Sequence, residues 1–94
     1  MRETVTIVNH LGLHARAAAK FVKTTQQFDA QVLVSRPDGG ASGDQSVTGT
    51  SILGLMMLAA EPGTQIEIAA SGAQAGEAIE ALKQLIADKF GEGE

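Results

Sequence analysis

Residues 3–8, ETVTIV, alternate polar and apolar side chains, with Val5 and Ile7 on one face. That period of two predicts a half-buried strand. The period changes at residues 14–28, HARAAAKFVKTTQQF, where Ala18, Phe21, Val22 and Thr25 recur at helical spacing. Arg16, Lys20 and Lys23 lie elsewhere on that helix surface. QVLVSR (31–36) reads as a second strand, closed by the turn-forming PDGG (37–40). The Gly-, Ser- and Asp-rich stretch after it predicts a mobile hairpin, with a short third strand near Gln45 to Thr48. TSILGLMMLAA (50–60) is a short apolar helix with Thr50 or Ser51 as its N-cap. EPGT turns the chain into QIEIAAS, a strand alternating around Ile66 and Ile68. Ala75, Ala78, Ile79, Leu82, Leu85, Ile86 and Phe90 then mark one face of a long closing helix.

The order is β-α-β-β-α-β-α. Three helices with one apolar face each need a common surface, and four alternating strands offer it on one side while the other faces water. The prediction is an α+β fold, a two-layer open-faced sandwich with a mainly antiparallel sheet. Two split βαβ units give the strand order 1-4-2-3. One domain is expected over residues 1–90, with a flexible tail at 91–94.

Composition narrows what such a domain does. A chain of 94 residues supports a single modest core. It has no cysteine, which removes disulfide frameworks and thiolate metal sites. A net charge of −4, with only three aromatic residues, argues against a nucleic-acid face. No apolar run approaches a membrane span, and charged Arg2 and Glu3 do not begin a signal peptide, so a cytoplasmic location is expected.

The informative residue is His14, where the first strand has ended and the first helix begins. Gly12 allows a sharp turn there, and Leu11 and Leu13 are expected to anchor the loop from beneath. The first N–H groups of a helix lack intrahelical partners and sit at the positive end of its dipole, a ready anion site. An imidazole at that cap can present a ring nitrogen to a phosphoryl group. The group's oxygens would then meet the N–H groups of Ala15, Arg16 and Ala17 and the Arg16 guanidinium. Arginine has the wrong charge for a helix N-terminus, so its placement calls for a compensating anion. On position alone, however, His14 is explained as simply by a capping role and Arg16 by a surface charge.

GLHARAAAKFV resembles the active-site signature of the HPr family, the histidine phosphocarriers of the bacterial phosphotransferase system. TSILGLMMLAA is similar to that family's regulatory-serine helix, and EPGTQIEIAASGAQAGEAIEAL to its last strand and helix. Together these stretches cover nearly the whole chain in the right order. The resemblance implies that His14 accepts phosphate on Nδ1 from phospho-enzyme I and passes it to an EIIA-type protein. Arg16 then stabilises the group in transit. Ser51 falls where a dedicated HPr kinase/phosphorylase modifies many relatives. The chain departs from the pattern at three places. Ala17 replaces the usual proline, Leu11 stands where a polar residue is frequent, and Thr50 replaces a frequent lysine. The wording of VNHLGLHARAAAKF and FDAQVLVSRPDG is closer to the nitrogen-related NPr branch. The resemblance implies a relay protein rather than an enzyme, without a bound cofactor or metal, working as a monomer.

Other features have plainer explanations. His10 and His14 are spaced like a metal pair on a helix, but a turn separates them and no carboxylate completes a site. GASGDQSVTG lacks the Lys-Ser/Thr ending of a nucleotide loop. Glu77, Glu80 and Asp88 make a solvated helix face. The apolar residues of 52–58 are too many for one buried face. Leu55 and Leu58 are expected in the core, leaving Ile52, Leu53 and Met56 exposed for docking partners. Two competing functions remain. A purely regulatory binding module acting through Ser51 has no use for the retained His14 and Arg16. A small hydrolase with a histidine nucleophile lacks a general acid or base in the motif.

Overall fold

The structure is a computed structural model, described here over residues 1–37, 46–58 and 61–91. Its elements are β1 (Arg2–Thr6), α1 (Ala15–Thr25), β2 (Gln31–Ser35), β3 (Val47–Thr48), α2 (Ile52–Met57), β4 (Gln65–Ser71) and α3 (Ala75–Ala87). A 3-10 turn, Lys89–Gly91, closes the described chain. The four strands form one sheet in the order β1-β4-β2-β3, antiparallel at every pairing. The expected topology is therefore present. Gln45, most of the PDGG turn and its hairpin, Ala59, Ala60 and tail residues 92–94 lie outside the described residues.

Alternation decides which side of the sheet is covered. On β4, Ile66, Ile68 and Ala70 point into the core, as Val32 and Val34 do on β2. Val34 pairs with Ile68 and Val5 with Ile66, so like faces meet across the register. The helices close over these side chains with Phe21, Leu55, Ile79 and Leu82, all essentially fully buried. Leu33 and Glu67 lie on the opposite face, with Leu33 left exposed. At the β1 edge, Glu3 reaches Lys83 of α3 at 3.6 Å, placing a charged pair where an open edge invites pairing with another chain.

Two expectations from the sequence are corrected. The last helix does not run to Phe90 but ends at Ala87, and Lys89 and Phe90 both take left-handed backbone angles. That reversal swings Phe90 back under the helices, where it is fully buried. Lys20 lies off the buried stripe of α1 as expected, and its Nζ donates to the Phe90 carbonyl, tying α1 to this turn. Leu11 does not anchor the loop from beneath, because 61% of its surface is exposed. A turn closed by Asn9 and Gly12 directs it outward.

Candidate functional site

The segment between β1 and α1 is built around Asn9 rather than Leu11. Asn9 is fully buried, and its Nδ2 donates to the Gly12 carbonyl at 2.7 Å. Gly12 N–H returns the bond to the Asn9 carbonyl at 3.1 Å, and Gly12 adopts φ 68°, a conformation that disfavours a side chain. This turn points Asn9 inward and leaves Leu11 outside. Leu13, immediately after it, is buried and seats the loop. Asn9 was missed as a structural residue in the sequence, although asparagine two to three residues before a glycine is a turn signal with a known mechanism.

His14 comes next, with extended backbone (φ −81°, ψ −178°), and caps α1. Its Nδ1 accepts the N–H of Arg16 at 3.3 Å. A ring nitrogen that accepts carries no proton, so in the neutral ring the proton sits on Nε2. The Nδ1 lone pair therefore points toward the start of the helix. At 3.3 Å the bond is long for its type, and the ring can give it up at little cost. Helix geometry leaves the first-turn N–H groups without intrahelical acceptors. Ala15 and Arg16 are exposed, whereas Ala17 is fully buried and offers no donor at the surface. Of the three residues expected to offer N–H groups to an anion, Ala15 and Arg16 thus lie at the surface, and the Arg16 N–H is the one bonded to His14. The first turn of α1 contains no acidic residue to compete for that place.

Ser51 makes a second cap. Its Oγ accepts the Gly54 N–H at 3.0 Å, which decides between Thr50 and Ser51 as the start of α2. Gly54 fits because a Cβ there would stand 3.0 Å from Ser51 Oγ and 3.1 Å from the Val47 Cβ. Leu55 and Leu58 are in the core. Ile52, Leu53 and Met56 are exposed, and Met57, to which the sequence assigned no docking role, joins them. α1 and α2 pack on each other, so the two caps belong to one helical layer. His10 is exposed in the turn, and among the described residues no three potential metal ligands cluster.

The family model described as "PTS HPr component phosphorylation site" matches residues 1–88. The chain belongs to the HPr family. A phosphocarrier protein HPr from Neisseria meningitidis is 48% identical over all of this chain and 99% of its own. The phosphocarrier protein NPr of Escherichia coli is 40% identical, covering 98% of this chain and 97% of its own. The overall likeness is thus greater to this HPr than to this NPr, whatever the wording of individual segments. Among solved structures, HPr-C-His from Thermoanaerobacter tengcongensis superposes with a TM-score of 0.86 at 39% identity, over 98% of this chain and 97% of that one. Members of the HPr family are phosphoryl-relay carriers of the phosphotransferase system and work with its enzymes. No described helix is long and apolar enough to cross a membrane.

Proposed function

We propose that this chain accepts a phosphoryl group on Nδ1 of His14 from enzyme I and passes it to an EIIA-type protein. The observation that carries the reading is the bond from Arg16 N–H to His14 Nδ1, which orients the nucleophilic lone pair at the helix start. As phosphorus arrives, the Nδ1 lone pair forms the new P–N bond while the donor's bond to phosphorus breaks. The Arg16 N–H turns from the ring nitrogen to a phosphoryl oxygen, and the Ala15 N–H and the Arg16 guanidinium take the others. Positive charge left on the ring is relieved by loss of the Nε2 proton to solvent. Onward transfer reverses these contacts, and the lability of the P–N bond suits histidine to a relay. Half-exposed His14 meets the donor and acceptor at the surface rather than in a cavity.

The exposed apolar face of α2 is the docking surface, and a kinase acting on Ser51 switches it. A phosphate on Ser51 suits a helix start electrostatically but places charge beside Ile52, Leu53 and Met56. The working unit is a cytoplasmic monomer. Incubation with enzyme I and phosphoenolpyruvate should yield one acid-labile phosphate, assigned to Nδ1 by phosphorus NMR. An unlabelled product, or label on His10, would refute the assignment.

A further inference from the structure

The apolar face of α2 carries a chemistry that its packing does not require. Ile52, Leu53, Met56 and Met57 form two i,i+4 pairs on one side of the helix, while Leu55 anchors the other. Met56 is 40% exposed and Met57 61%. The chain has no cysteine, so its methionine thioethers are its only sulfur atoms. The third, Met1, is also exposed, but its main chain pairs with Ala70 of β4 and its sulfur lies against Gly76 of α3. Two of the three sulfurs thus stand together on the helix that bears Ser51.

We propose that Met56 and Met57 form an oxidation-sensitive site, where a hydroperoxide converts the thioethers to sulfoxides and weakens partner docking without unfolding the chain. The inference rests on the reading of α2 as the docking surface. In each conversion a sulfur lone pair attacks a peroxide oxygen, the S–O bond forms and the O–O bond breaks. Sulfur loses two electrons, and hydrogen peroxide leaves as water. A thiol-dependent sulfoxide reductase restores the thioether, removing the oxygen as water while two thiols become a disulfide. The product is a polar S–O group on an apolar patch. In the free protein that group is hydrated, because both side chains already face water. In a complex it must be desolvated with no partner provided for it. The same reaction on a core side chain would lower stability, and Leu55 and Leu58 leave no sulfur there to react.

The test treats the full chain with hydrogen peroxide, verifies both sulfoxides by mass spectrometry and measures its KM and kcat as a substrate of enzyme I. KM should rise roughly tenfold, corresponding to about 1.4 kcal/mol, with kcat and the melting temperature unchanged. In a Met56→Leu/Met57→Leu variant, which keeps Met1, the ratio of treated to untreated KM should stay near one whatever its starting value. Sulfoxide reductase should return the parent to its original KM. An unchanged KM in the verified double sulfoxide would overturn the inference, as would an equal response of the variant or a large fall in melting temperature. Leu53→Asp separates docking from oxidation. If it raises KM and oxidation does not, the oxidation site alone fails. If Leu53→Asp has no effect, the docking surface is misplaced and the inference falls with it.

Discussion

The starts of α1 and α2 solve one structural problem with two different chemistries. Each has an extended cap residue whose side chain accepts an N–H from the first turn, Arg16 to His14 Nδ1 at 3.3 Å and Gly54 to Ser51 Oγ at 3.0 Å. The helices behind the caps differ. α1 runs 11 residues and buries Ala17, Ala18, Phe21, Val22 and Thr25. α2 has six residues and buries Leu55 alone, with Leu58 just beyond it. A helix held by packing can spare its cap for chemistry, whereas a short helix that turns its apolar side outward depends on the cap to form. The cap bond of α1 is therefore the more dispensable of the two, and that of α2 the more structural.

The largest effect should come from His14→Ala, which removes phosphate acceptance altogether. It should leave the fold intact, because losing this long cap bond costs less than the roughly 1 kcal/mol typical of a helix cap. A variant labelled by enzyme I at the parent's rate would end the distinction between the two caps. His10→Ala is the matched control and should transfer normally. Arg16→Ala should slow transfer by roughly 10- to 150-fold, the range expected for one charge-assisted hydrogen bond of about 1.5–3 kcal/mol. Single-turnover transfer from phospho-enzyme I measures this directly, and an unaltered rate would reduce Arg16 to a surface charge.

Ser51→Asp tests the other cap. Desolvating the added charge against Ile52, Leu53 and Met56 should cost docking about 1–3 kcal/mol. Titration with enzyme I would show the loss, and equal affinities would move the docking face elsewhere. Ser51→Ala sharpens the comparison through stability instead. Losing about 1 kcal/mol should lower the melting temperature of a domain this size by about 4–8 °C. His14→Ala should lower it less, since its bond is longer and its helix better anchored. Equal shifts would show that anchorage does not distinguish the two helices.

The smallest effect lies away from both caps. The Lys83 ammonium is held above the ordinary lysine range, chiefly by the charge of Glu3 and next by Glu80. A raised pKa means that any stability gained is present below the unfolded lysine value and fades as pH rises through the folded one. Glu3→Gln should bring the Lys83 titration back down, as followed by NMR. Phosphotransfer and docking should not change, since this pair joins β1 to α3 and touches neither cap.

The element order, the inward faces of β2, β4, α1 and α3, and the pairing of His14 with Arg16 at a helix start are legible in the sequence by itself. These are local matters: periodicity selects the buried face, and a polar residue before a helical run marks its beginning. The HPr resemblance added the meaning of that beginning, which spacing alone left divided between a cap and a phosphoryl acceptor. Tertiary structure decided what no period encodes. Gly12 at φ 68° reverses the loop, so a polar Asn9 is buried and an apolar Leu11 is exposed. Two consecutive left-handed residues return Phe90 to the core, where the extended periodicity would have placed it on one more helical turn. The burial of Ala17 covers an N–H that counting residues from the cap had assigned to the anion. In each case the direction of one side chain depends on backbone reversal or on helices packed over it. Those are properties of the assembled layers, and hydrophobicity along the chain does not carry them.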